Sequence, residues 1–168
     1  GTNWFNIAPV STAWGEVKFL NENTGWILSD YDLYKTVNGG VNWTSILRNF
    51  AMQMGYFQDH HFVDPQTGWV TIQNGIAKTS NGGESWSFIT TQIQTPMAIQ
   101  FLTDNYGWCV GYNNNSGVII ATSNGGMNWS TQVLENGNKF YDISFININS
   151  GWATGNAIIS TTGNGGLV

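Results

Sequence analysis

The stretch KTSNGGESW, Lys78 to Trp86, decides the fold because it does not stand alone. It returns as KTVNGGVNW (Lys35–Trp43) and ATSNGGMNW (Ala121–Trp129), and starts once more as TTGNGGLV (Thr161–Val168). Two adjacent glycines permit positive φ in a tight turn between strands. Asn38, Asn81, Asn124 and Asn164 are placed to hydrogen-bond the local backbone and hold that turn. The threonine two positions earlier favours a strand leading into it. Trp43, Trp86 and Trp129 follow the asparagine by five residues and are expected to bury apolar surface under the turn, worth ~2–3 kcal/mol each. A corner repeated through the chain reads as a staple, since a catalytic group is not needed four times.

Longer segments repeat with it. WGEVKFLNENTGW (14–26), FQDHHFVDPQTGW (57–69), PMAIQFLTDNYGW (96–108) and FYDISFININSGW (140–152) align without gaps, with phenylalanines at 19, 62, 101 and 145 and a Gly-Trp pair closing each. From that tryptophan to the corner asparagine is 12 residues in three copies and 16 in the third. The extra residues fall in GYNNNSG (Gly111–Gly117), which reads as a loop. Each copy carries four short β-type runs, such as HHFV, GWVTI, IAKTS and SWSFIT in the second. Apolar alternation at Val17/Phe19, Ile99/Phe101 and Ile143/Phe145 gives one face of each first strand to a core. No segment sustains a helical period. Four-stranded units of about 42 residues fit the blades of a β-propeller.

Composition agrees and excludes some functions. Of 168 residues, 14% are aromatic, with nine tryptophans, and only 9% are charged. Five basic against ten acidic residues leave a net charge of −5, with no basic stripe to bind nucleic acid. No apolar run approaches the ~20 residues that insertion into a bilayer requires. Beginning at Gly1 without a signal peptide, the chain reads as a processed or trimmed product. Cys109, the single cysteine, reads as a buried structural thiol. His60 and His61 point to opposite faces of a strand and do not jointly chelate a metal; His60 is expected in the core and His61 as a polar lining residue.

The pattern Thr-x-Asn-Gly-Gly-x-x-Trp resembles the Asp-box, or bacterial neuraminidase repeat, with Asn in place of the usual Asp. The longer unit, from the phenylalanine column through Gly-Trp to the corner, is similar to the photosystem II stability/assembly factor family and its secreted bacterial relatives. The resemblance covers nearly the whole chain. It implies an all-β propeller and leaves function open, because such propellers serve glycosidases, lectin-like modules and assembly factors alike. The expectation is one domain over 1–168, with repeats at 14–47, 57–91, 96–134 and 140–168 plus 1–8. The segment GTNWFNI, through Trp4, is expected to supply the outer strand of the last blade. The expectation is a propeller of four four-stranded blades closing as a monomer; a double ring and an open head-to-tail polymer built by strand exchange are the alternatives.

Two constellations stand out as sites. The loop face opposite the corners collects Trp14, Tyr56, Phe140 and Tyr141 from the segments leading into first strands, with Tyr31, Asp32, Tyr112 and Asn113 from those after the Gly-Trp strands. Aromatic faces beside amides suit sugar rings or protein loops. The column Glu16, Asp59, Asp142 puts carboxylates at the mouth of a central channel, where they would form a solvated rim, hold a hard cation, or act as an acid/base pair. A sialidase needs several arginines for its substrate carboxylate, and the chain has only Arg48. The assembly factor the resemblance implies binds a newly made reaction-centre protein, largely through a basic patch. Lys18, Lys35, Arg48, Lys78 and Lys139 are scattered instead. Sequons stand at Asn42, Asn114 and Asn128, and those at Asn42 and Asn128 fall inside the repeated corner and read as by-products of the repeat. The expectation is therefore a non-enzymatic, extracellular or periplasmic module without a cofactor, binding glycan or protein and capable of self-association. A glycosidase and an assembly-factor-like protein are the other readings.

Overall fold

The computed structural model describes residues 15–29, 31–48, 55–156 and 158–162, the last of these as backbone only. Trp4, Trp14 and Asn164, and the N-terminal strand expected to complete the last blade, lie outside the described residues. The described elements are fifteen strands in four antiparallel sheets, each ordered as the chain runs. The first holds β1 (Glu16–Phe19), β2 (Gly25–Leu28), β3 (Leu33–Thr36) and β4 (Thr44–Ser45). The second holds β5 (Phe57–Phe62), β6 (Gly68–Ile72), β7 (Gly75–Thr79) and β8 (Ser87–Thr90). The third holds β9 (Thr95–Phe101), β10 (Gly107–Asn113), β11 (Ser116–Thr122) and β12 (Ser130–Asn136). The fourth holds β13 (Phe140–Asn147), β14 (Ser150–Gly155) and β15 (Ile158–Thr162).

The chain divides into two compact units, Gly1–Phe57 and Gln58–Val168. In the first, Trp26, Leu28, Leu33, Tyr34 and Leu47 are buried. In the second, the sheets pack face to face in sequence: β6 and β7 against β9, then β9, β10 and β11 against β13. Trp69, Ile76, Ile99, Phe101, Cys109 and Ile120 form one layer of core, and Trp108, Val110, Ile119, Phe140, Ile143 and Phe145 form the next. Cys109 is fully enclosed, as expected, and so is His60, beyond the partial burial that its column suggests.

The corner works as a closed set of hydrogen bonds. In each described copy both glycines have positive φ, between 67° and 98°. The threonine hydroxyl accepts the N–H of the second glycine (Thr36 from Gly40, 2.9 Å; Thr79 from Gly83, 3.0 Å; Thr122 from Gly126, 2.9 Å). It donates to the asparagine Oδ1 at 3.0 Å in all three. That oxygen in turn accepts the N–H four residues on, from Asn42, Ser85 and Asn128. The first glycine donates to the loop between the first two strands of its own sheet, on Asn23, Gln66 or Asn105. Trp43, Trp86 and Trp129 are half-buried, less enclosed than the sequence suggests. They meet the phenylalanine of their own sheet edge-on, at 6.1, 6.3 and 5.9 Å between centroids.

Gly-Trp has its own logic. The glycine sits opposite the phenylalanine in register, as in Phe19↔Gly25, Phe101↔Gly107 and Phe145↔Gly151. A Cβ on Gly25, Gly107 or Gly151 would stand 2.7, 2.5 and 2.5 Å from that ring, so the bare backbone is what lets the ring lie across the strand. The tryptophan points to the other face and stacks on the phenylalanine of the next sheet. Trp69 lies 3.5 Å from Phe101 with planes 6° apart, and Trp108 lies 3.8 Å from Phe145 at 10°. Each stack adds ~0.5–1.5 kcal/mol beyond area burial.

Two readings are corrected. GYNNNSG is not a loop: β10 and β11 continue through it, pairing Tyr112 with Gly117 and Asn113 with Ser116 around a two-residue turn. Asn114 takes φ 52° there, a conformation asparagine adopts readily, so the polar run lengthens a hairpin. The alternation in the first strand also fails to bury Val17 and Phe19, which are 60% and 45% exposed. Phe101 and Phe145 owe their burial to the preceding sheet's tryptophan.

Candidate recognition site

The turns between the second and third strands of a sheet, and the segments leading into first strands, lie at the end opposite the corners. Tyrosines from these two sources pair. In the first unit, Tyr31 and Tyr56 lie 5.0 Å apart with planes at 43°, both more than half exposed. In the second unit, Tyr112 near the end of β10 meets Tyr141 on β13 edge-on at 6.2 Å. Lys139 holds its ammonium 4.4 Å above the Tyr112 ring. Tyr141 is 42% exposed, so the cluster offers an aromatic edge and a cation to solvent. The sequence grouped the tyrosines but missed Lys139, whose place just before Phe140-Tyr141 was the available signal.

Other candidates prove structural. Asp32 is buried, accepting N–H bonds from Leu33 (2.8 Å) and Leu47 (3.3 Å) and the Ser45 hydroxyl (2.7 Å), with Arg48 at 3.7 Å. It ties the third strand of its sheet to the segment after the fourth. Burial, and then the Asp32 carboxylate, raise the neighbouring Tyr34 above its ordinary pKa. Phe140 is fully buried between the third and fourth sheets, because its position in β13 faces inward. Asn113 spends its amide on the 91–95 segment, accepting from Gln94 N–H at 2.7 Å and donating to the Gln92 carbonyl at 2.8 Å.

Within the second unit, the two carboxylates of the column differ in burial and partners. Asp59 is buried, its Oδ1 accepting the His60 N–H and its Oδ2 accepting the Ile99 N–H of the next sheet, at 2.6 and 2.7 Å. It is a clamp between sheets. Asp142 is exposed and accepts the Ile143 N–H at 2.8 Å, while Glu16 pairs with Lys18 at 3.0 Å. Thr71 also donates to and accepts from the Asp59 backbone.

The five basic side chains are each engaged. Lys18 pairs with Glu16 and Arg48 with Asp32. Lys35 and Lys78 lie 5.9 and 5.3 Å over the Trp26 and Trp69 rings, and Lys139 covers Tyr112. Lys78 also donates to the Gly125 carbonyl at 2.8 Å, beside the Trp69 Nε1–H on the same oxygen at 3.2 Å. Burial lowers the Lys78 pKa, against an upward pull from Asp104. Among the described residues no helix is long and apolar enough to cross a membrane.

The sequence model of the family described as photosynthesis system II assembly factor YCF48 matches residues 2–137. Among solved structures, YCF48 bound to a D1 peptide superposes with a TM-score of 0.64 at 21% identity, over 87% of this chain and 50% of that one. YCF48 from Cyanidioschyzon merolae gives 0.52 at 17% identity, over 96% and 74%. An ancestral GH74 enzyme gives 0.73 at 17% identity, over 96% of this chain and 24% of that chain. At these identities the likeness is one of fold, and the fold is the β-propeller with its repeated Asp-box-type corner. The chain spans about half the length of the peptide-bound YCF48 chain. No curated protein matches the sequence.

Proposed function

The chain belongs to the photosynthesis system II assembly factor YCF48 family, and from that premise we propose that it is a non-enzymatic recognition module that binds a segment of a partner protein. The observation that carries this reading is the cluster of exposed Tyr141 with half-buried Tyr112 and Lys139 at the end of the sheets opposite the corners. Two rings at an angle give an extended peptide an apolar ledge, and the ammonium supplies a partner for a carboxylate or carbonyl. The engagement of the other four cations within the chain makes this a local contact, with no broad basic field behind it. Support for a non-enzymatic role comes from Asp59, whose two oxygens each accept a backbone N–H, one of them from the next sheet, as a structural carboxylate does.

The D1 peptide that YCF48 binds is the first probe, followed by a displayed peptide library counter-selected on Tyr141→Ala. Peptides so recovered are expected to bind the unmutated protein at least about tenfold more tightly than the variant, with melting temperature unchanged. A library that enriches nothing overturns the reading. Retention of oligosaccharides on a glycan array, lost in Tyr141→Ala, would move the same cluster to sugar recognition.

A further inference from the structure

β12 is the outer edge of the third sheet, and its register shows which of its main-chain groups face out. The Gly137 N–H donates to the Asn115 carbonyl at 2.8 Å, and that pair continues the register Ser116↔Asn136, Gly117↔Glu135, Val118↔Leu134, Ile119↔Val133. Bonded and non-bonded pairs alternate in an antiparallel ladder, so Glu135 and Val133 bond inward to β11. Leu134 and Asn136 therefore turn their N–H and C=O away from the sheet. The other side of β11 agrees: Ser116 closes a two-residue turn with Asn113, so it faces β10 and has no backbone group left for Asn136. Among the described residues no further strand meets this edge.

Leu134 also leaves its side chain 63% exposed there. The outer strand of the second sheet makes the contrast. By the same alternation, counted from the bond of Thr91 N–H to the Asn74 carbonyl, β8 turns Phe88 and Thr90 outward. Its Phe88 ring, however, folds back over Gly75, 2.6 Å from where a Cβ would stand. β12 joins open main-chain groups to an open apolar side chain and carries neither lysine nor proline, which commonly blunt an edge. The edge also leads to the tyrosines. Tyr112, Gly117 and Glu135 stand opposite one another in one row across β10, β11 and β12. Glu135 accepts from the Asn138 amide at 3.1 Å, and the next residue, Lys139, lies over Tyr112. At Gly137, where the chain leaves β12, a Cβ would meet nothing within 4 Å, so the way along this rim is open.

Building on peptide recognition at the tyrosines, we propose that the bound segment of the partner adds to the third sheet as a further strand along Leu134–Asn136, and that its continuation past Asn136 reaches Lys139 and Tyr141. The occupant is an extended polypeptide, because a main chain repeats donor and acceptor at the spacing that Leu134 and Asn136 present. An apolar side chain of the segment covers Leu134. An added strand lies three strand spacings, about 14 Å, from Tyr112, which about four extended residues cross. The ligand is therefore about eight residues or longer, pairing at one end and meeting the rings at the other.

Peptides selected from a displayed library on the unmutated protein, without counter-selection, supply the probes. N-methylation of each peptide bond in turn is expected to weaken binding at least about tenfold at alternate positions of the pairing half, with the positions between them unaffected. Leu134→Pro removes an outward N–H and spares the inward bonds, a placement proline tolerates on an edge strand. It is expected to weaken the same peptides at least about tenfold with melting temperature kept. N-methylation acts on the peptide alone, so it decides even where the proline variant loses its fold. Saturating peptide is expected to slow amide exchange at Leu134 and Asn136, leaving Val133 and Glu135, already protected, as they were. Peptides lost in Tyr141→Ala but indifferent to N-methylation and to Leu134→Pro overturn strand addition and leave recognition at the tyrosines standing. Peptides sensitive to both of these but indifferent to Tyr141→Ala establish the added strand and overturn the tyrosine site. A library that enriches nothing overturns both.

Discussion

Thr79 shows how much one side chain does here. Its hydroxyl accepts two backbone N–H groups and donates to Asn81, so the corner closes without water. The sequence made the glycines and asparagines legible because their φ and hydrogen-bonding needs are local. It credited the threonine only with strand preference, since its second role depends on a turn four residues wide. Asp32 and Phe140 were misjudged for a related reason: residue type says what a side chain can do, and only the strand's facing says whether water reaches it. Cys109 was read correctly from its apolar flanks, and it makes a test. Burial, with a smaller push from Asp59, raises its thiol well above the ordinary 9.0. The unfolded thiol therefore loses its proton first, so stability is full below pH 9.0 and falls as pH rises toward the folded value. The expected slope is about half of 1.4 kcal/mol per pH unit at pH 9 and approaches that full one-proton value toward pH 10. Urea titrations between pH 9 and 10 should show that slope reduced by this amount in Cys109→Ala. An unchanged slope would mean the thiol titrates as freely folded as unfolded. Lys78 acts oppositely: its lowered pKa makes stability rise with pH up to 10.5, and the difference between wild type and variant removes it.

At the scale of the strand, the Gly-Trp pair explains why a repeat needs a residue with no side chain at a fixed place. Gly107 lies opposite Phe101, whose ring occupies the space a Cβ would take at 2.5 Å. Gly107→Ala must displace a ring stacked on Trp69 and met edge-on by Trp129. The expected loss is ~1–3 kcal/mol, the usual cost of overpacking, measured by denaturant unfolding. A loss under half that would mean the ring has room to retreat. Strand number and order were readable from period and turn residues. The β10–β11 hairpin was not, because Asn, Ser and Gly mark loops and hairpin turns alike and only pairing distinguishes them.

For the molecule as a whole, stability is the sum of seams between neighbouring sheets, as in other repeat architectures. Trp108→Ala removes the stack between the third and fourth sheets. Hydrogen exchange should quicken in β9–β11 and β13–β14, with β1–β4 keeping its protection. Quickening throughout would show one cooperative body. The propeller was legible from the fourfold repeat, and so was the scatter of the five cations along the sequence. What each cation covers was not, since Lys35 and Lys78 reach their indoles across strands. A strand that is hollow on one side at glycine and carries a flat indole on the other is a universal coupling. Any copy fits any neighbour, so gene duplication can lengthen such a protein unit by unit, and recombination can trade units between relatives, without a new joint ever having to be invented.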